Sequence, residues 1–119
     1  MSDTDTTVSK YIQMWNESDP ARRRELVAQV VTEDASYLDP VMAGEGIDGI
    51  SEMIGGAQAQ FPGHSFALHS GPDGHHDRVR FSWSLAANGG EPVAIGTDYV
   101  TLDGDGRMQA ITGFIDVAP

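Results

Sequence analysis

Residues 75–117 read HHDRVRFSWSLAANGGEPVAIGTDYVTLDGDGRMQAITGFIDV, and their period decides the fold. From His75 to Ala87 the residues alternate, with Val79, Phe81, Trp83 and Leu85 on one face and Arg78, Arg80, Ser82 and Ser84 on the other. A period of two is the mark of a strand with one face buried. Asn88-Gly89-Gly90 then supplies a hairpin turn. Pro92 to Leu102 reads as the next strand, Asp103 to Gly106 as the next turn, and Arg107 to Val117 as the last strand. Upstream, His64 to Ser70 alternates through Phe66 and Leu68. Gly71-Pro72-Asp73-Gly74 reads as a turn with proline pre-set at its second position. Four strands joined by three short turns form an antiparallel meander.

The first half has a different period. Val8, Tyr11, Ile12 and Trp15 fall at i, i+3, i+4 and i+7, the apolar stripe of a helix. The seven residues before it read as a flexible tail, leaving a single domain over residues 8–119. Asp19 before Pro20 opens a second helix, with Leu26, Val27, Val30 and Val31 inward. Ala35 to Asp39 reads as a short strand halted by Pro40, and Met42 to Gly46 as loop. Ile47, Ile50, Ile54 and Ala57 mark a third helix that ends before Phe61-Pro62-Gly63. The fold class is therefore α+β, with the helices covering one face of a curved, mainly antiparallel sheet.

Composition excludes several functions. The 119 residues hold eighteen acidic and seven basic side chains, a formal charge of −11. Lys10 is the single lysine, which argues against a nucleic-acid partner. Arg22-Arg23-Arg24 reads as a solvated helix face. With no cysteine there is no disulfide, thiolate metal site or cysteine nucleophile. The acidic N-terminus is unlike a signal or transit peptide. No apolar run reaches the roughly 18 residues of a membrane span. The expectation is a soluble, cytoplasmic protein.

Candidate chemistry lies where polar groups fall on apolar faces. Asp98 shares a strand face with Gly96, Val100 and Leu102 and so points inward, unless a bulge turns it out or it serves a backbone N–H. Tyr11 lies on the first helix's apolar stripe, either as core or as a buried hydroxyl with a partner. Asp39, before Pro40, is either a turn opener or a carboxylate at a strand end. His75 and His76 alternate across a strand and make a poor metal pair, so no metal site is expected. His64 and His69 have opposite parity, making one of them a candidate pocket residue. No Gly-rich phosphate loop and no GxSxG is present.

Several segments together resemble the nuclear transport factor 2-like superfamily, in its SnoaL-like and ketosteroid-isomerase-like branches. They are Tyr11 to Asp19 (YIQMWNESD), Tyr37-Leu38-Asp39-Pro40, Phe61-Pro62-Gly63, Gly96-Thr97-Asp98-Tyr99 and Leu102 to Arg107 (LDGDGR). The resemblance implies a cone-shaped α+β barrel, three helices packed on a curved sheet around an apolar pocket. It also implies roles: Asp39 as general base, Asp98 as a neutral hydrogen-bond donor and Tyr11 as a second donor, as in steroid isomerases. No Asp-Arg-Asp set of the epoxide-hydrolase kind is expected, because Arg78 and Arg80 lie on the other strand face. The implied function is a cofactor-independent acid–base enzyme that enolises a small apolar carbonyl compound. The alternative is a non-catalytic small-molecule-binding or protein-interaction module. Trp15, Tyr37, Met42 and Phe61 are expected to line the pocket, together with Phe81, Trp83 and Phe114. The resemblance further implies a homodimer through the outer sheet face.

Overall fold

The computed structural model describes residues 3–118. The order is α1 (Asp3–Asn16), α2 (Pro20–Val30), β1 (Val31–Leu38), β2 (Ala43–Glu45), α3 (Gly46–Gln60), β3 (His64–His75), β4 (Arg78–Ala87), β5 (Pro92–Leu102) and β6 (Met108–Val117). The six strands form one sheet in the order β2-β1-β6-β5-β4-β3. The expected meander β3 to β6 is present, each neighbour antiparallel. β1 joins it parallel to β6, which requires a crossover, and α3 provides part of that connection. The sheet curves around the helices without closing, so β2 and β3 remain edges.

Several boundaries differ from those expected. α1 begins at Asp3, not Val8: Asp3 and Asp5 sit in its first turn, where carboxylates oppose the helix dipole. Met1 and Ser2 of the expected tail lie outside the described residues. Val31 opens β1 instead of closing α2. The expected loop from Met42 contains the short strand β2, which pairs with β1 through Tyr37 and Gly44. β3 runs on through Gly71-Pro72-Asp73-Gly74 to His75, and the hairpin turns at His76, whose φ is +51°. The reason is position. β3 is an edge strand, so Pro72 forfeits no interior ladder bond, and Gly71 at φ +94° absorbs the extra residues of a shifted register.

α2 is capped as expected: the Asp19 carboxylate accepts the Arg22 N–H at 2.9 Å, and Pro20 stands at the helix start. The reading of three solvated arginines is corrected at Arg23, which is 7% exposed. Its guanidinium donates to Ser51 O at 3.0 Å, Glu17 O at 3.1 Å and Gln58 Oε1 at 3.3 Å. It thereby joins the end of α1 and two turns of α3 from within α2. Gly55 is the local consequence, since a Cβ there would lie 2.8 Å from an Arg23 nitrogen. Asn16 closes the other side. Its amide donates to Phe66 O and accepts the Phe66 N–H, tying α1 to the edge strand at 2.8 and 2.7 Å. The core between the layers holds Tyr11, Met14, Ile50, Ile54, Val100, Met108 and Ile111. Among the described residues no helix is long and apolar enough to cross a membrane.

Candidate functional site

Strand register brings the polar residues together. Asp98 on β5 stands opposite Gly113 on β6, and Asp39 follows the Leu38–Thr112 pair of β1 and β6. A row Asp98–Gly113–Asp39 thus runs from β5 across β6 to the residue just past the end of β1, with glycine at its middle. A Cβ on Gly113 would lie 2.9 Å from Asp98 Oδ1, 3.1 Å from Asp39 Cβ and 3.3 Å from the Tyr37 hydroxyl. The two carboxyl groups share a space that exists because residue 113 has no side chain.

Each carboxyl has its own donors. The Tyr11 hydroxyl donates to Asp98 Oδ2 at 2.7 Å, and Trp83 Nε1–H donates to Asp98 Oδ1 at 3.1 Å. Trp83 reaches diagonally across Gly96, where a Cβ would fall 2.2 Å from its indole ring. Tyr37 donates to Asp39 Oδ2 at 2.6 Å, while the Val41 and Met42 N–H groups donate to Oδ1, both at 2.8 Å. Asp39 therefore opens the turn before β2 and also presents a carboxylate beside Asp98. The two readings of that residue are compatible.

Burial sets the protonation of the site. Asp98 is 1% exposed, and desolvation pushes its carboxyl up from 3.8 to about 6. The hydrogen bonds from Tyr11 and Trp83 pull the other way, and the Asp39 charge adds to the rise. Tyr11 is raised well above the usual phenol range by burial and then by the Asp98 charge. Tyr37 is raised by burial, by the Asp98 charge and by its bond to Asp39. Both tyrosines are therefore protonated donors at neutral pH. The Trp15 Nε1–H is buried without a well-formed hydrogen bond; it lies near enough to Tyr11 to favour that hydroxyl's ionised form.

These groups open on a cavity of about 170 Å³ between the helices and the sheet. Tyr11, Asp39 and Asp98 all line it. Of the expected wall residues, Trp15, Tyr37, Met42, Phe61 and Trp83 line it too. Phe81 does not: it is core behind Tyr11, ring centroids 5.3 Å apart. Phe114 does not either. Gly113 and Ile115 face inward, so Phe114 faces outward and packs on Tyr99 with centroids 5.8 Å apart. Neither His64 nor His69 lines the cavity. Hydropathy singles out neither Gly113 nor the donor role of Trp83; both follow from register, which hydropathy alone does not set.

Helices on a strongly curved six-stranded sheet, with a cavity at their interface, define the cystatin-like or nuclear transport factor 2-like architecture. The SnoaL-like domain model matches residues 8–111, and the chain belongs to that family. A SnoaL-like protein from Agrobacterium tumefaciens, provisionally assigned as an isomerase, is 46% identical. It superposes with a TM-score of 0.92 over 98% of this chain and 99% of its own. A protein of unknown function with a cystatin-like fold from Methylobium petroleophilum matches at TM-score 0.75 and 18% identity, over 98% and 77% of the two chains. A SnoaL-like protein from Jannaschia, provisionally assigned as a polyketide cyclase, matches at 0.69 and 18%, over 98% and 90%. No curated protein shows significant sequence similarity to the chain.

Proposed function

We propose that the protein is a cofactor-independent acid–base enzyme that enolises a small apolar carbonyl compound, giving an isomer or an aldol-closed ring. The observation that carries this reading is the convergence of Tyr11, Asp39 and Asp98 on one apolar cavity. The Asp39 carboxylate removes a proton from the carbon next to the carbonyl. The electron pair moves into the enolate, whose oxygen takes a hydrogen bond from Tyr11. Asp39 then returns the proton to another carbon, or the enolate carbon attacks a second carbonyl of the same molecule and Asp39 gives its proton to the alkoxide that forms.

The hydrogen bonds dictate how Asp98 takes part. Trp83 Nε1–H only donates, so Oδ1 is held as an acceptor. The proton of neutral Asp98 therefore belongs on Oδ2, facing Tyr11. In that state Asp98 donates to the Tyr11 oxygen and frees the Tyr11 hydrogen to face the substrate. The two donors act in series. When Asp98 is ionised, Tyr11 is drawn back to it and the cavity loses its donor.

Activity is thus expected to fall as pH rises through about 6, where Asp98 loses its proton. The pH profile of kcat/KM measures this; a flat profile from pH 5 to 8 would contradict the serial arrangement. The reaction itself is tested by deuterium exchange into a panel of cyclic enones. Asp39→Asn is expected to lower exchange at least 100-fold, the lower end of general-base contributions. An unchanged rate in Asp39→Asn and Asp98→Asn would sink the assignment. A non-catalytic binding module is the second reading. It is favoured by the resting geometry, in which Tyr11 and Asp98 satisfy one another.

A further inference from the structure

We propose that this cavity binds small tertiary and quaternary alkylammonium cations, whether or not it is used for catalysis. Two carboxyl groups stand in its wall, and among the described residues no Lys, Arg or His lines it. A ligand therefore meets negative charge with no positive group to offset it, in a protein of formal charge −11. Anions are turned away and cations drawn in.

The remaining wall suits a cation of one kind. The rings of Tyr11, Trp15, Tyr37, Phe66 and Trp83 form an unbroken series. The centroid of Trp15 lies 6.3 Å from Tyr11, 5.6 Å from Tyr37 and 5.2 Å from Phe66, and Phe66 lies 5.7 Å from Trp83. Aromatic faces carry the negative end of a quadrupole and attract cations, quaternary ammonium above all. The carboxylates contribute a field more than open acceptor positions. Asp98 already accepts from Tyr11 and Trp83, and Asp39 from Tyr37, Val41 and Met42. A primary ammonium would bring three N–H groups with few acceptors to receive them. A methylated ammonium brings none or one, and its charge is spread over apolar methyl groups. The size agrees: about 170 Å³ is the space of some five or six waters at about 30 Å³ each, enough for a methylated ammonium head and a short chain.

The cation and the carbonyl compound demand opposite states of Asp98. The groups that face it are Tyr11 from α1, Tyr37 from β1, Asp39 beyond β1 and Trp83 from β4. Asp39 and Asp98 are the two that carry charge. A cation favours ionised Asp98, while the serial donor arrangement needs it neutral. With its carboxyl at about 6, roughly a tenth is ionised at pH 5 and nearly all at pH 8.

The test titrates the protein with (2-hydroxyethyl)trimethylammonium chloride and with its neutral carbon isostere, 3,3-dimethylbutan-1-ol, following the indole N–H resonances of Trp15 and Trp83. The ammonium is expected to bind at pH 8 at least tenfold more tightly than the isostere and to weaken about tenfold at pH 5. Asp98→Asn is expected to remove the pH dependence. Should that variant fail to fold, Asp39→Asn is read instead: the preference for charge is expected to shrink while the pH dependence carried by Asp98 persists. An isostere that binds as tightly as the ammonium, or resonances that do not move in a saturable way, overturns the proposal. Cyclic enones run alongside separate the two readings. Enone exchange without ammonium binding overturns this proposal alone; ammonium binding without exchange of any enone overturns the acid–base reading alone.

Discussion

Asp98 is held in the sheet against its own preference. Its carboxyl ionises at about 6 in the fold and near 3.8 in the unfolded chain, so the folded state keeps a proton that the unfolded state has lost between those values. The sign follows: stability is greatest below the lower value, falls as pH rises through the window, and carries the full penalty above about 6. Two units at about 1.4 kcal/mol each place that penalty at about 2–3 kcal/mol. Asp98→Asn is therefore expected to stabilise the protein by up to about 2 kcal/mol at pH 7.5, with the gain vanishing towards pH 4. Urea unfolding at the two pH values measures it, and a variant less stable at pH 7.5 would contradict the account. The inward orientation of Asp98 was legible because Val100 and Leu102 flank it at the right spacing. The Trp83–Gly96–Asp98 contact was not, because it depends on how two strands are staggered. The expectation of Phe114 as a pocket wall fails for a related reason. Gly113 has no side chain to reveal which face of β6 is inward, and an apolar residue next to it looks like core.

Among the elements, those with strong local signals are where the sequence put them. α2 begins at its Asp-Pro cap, α3 ends before Phe61-Pro62-Gly63, and β4, β5 and β6 are separated by the glycine turns that follow Ala87 and Leu102. Elements set by long-range pairing were hidden. β2 is three residues long and owes its existence to β1. The run of β3 past Pro72 depends on its being an edge. Arg23 belongs to the same class: nothing in a run of three arginines says that the middle one faces two other helices. Its guanidinium serves three acceptors from α1's end and α3, so an apolar side chain of similar length would take a donor from Ser51 O and Gln58 Oε1 in a place water reaches poorly and leave Glu17 O with Gln58 Nε2–H. Arg23→Met is expected to cost about 2–4 kcal/mol and lower Tm by about 10 °C. Arg22→Met, on the exposed face, is expected to stay within about 0.5 kcal/mol. Differential scanning calorimetry on the pair decides it, and equal melting temperatures would remove Arg23 as the joint between the helices.

At the scale of the whole molecule, the inner and outer faces of the sheet do different work. The inner face holds the core and the cavity. The outer face carries large apolar side chains that no other described residue covers. Tyr99 and Leu38 both flank Thr112 across the strands, and Phe114 follows on β6. These three are 47%, 59% and 54% exposed. Such a patch on a small acidic protein points to burial against another surface. A second copy is the partner expected here, because closed pairs of identical chains are the commonest assembly and the charged neighbours on this face, Arg80 and Asp73, already pair with each other at 2.9 Å and leave the apolar side chains as the uncovered part. Light scattering after size exclusion is expected to give twice the 12.7 kDa of one chain. Tyr99→Asp with Phe114→Asp is expected to return the mass to that of one chain while circular dichroism stays unchanged, because neither side chain reaches the core. A single-chain mass for the unaltered protein across the micromolar range would assign the patch to another partner. The cavity is lined from within one chain, so the double variant is also expected to keep its ammonium and enone binding. Loss of both on dissociation would mean that the partner's sheet holds the strand row of Asp98, Gly113 and Asp39 in register.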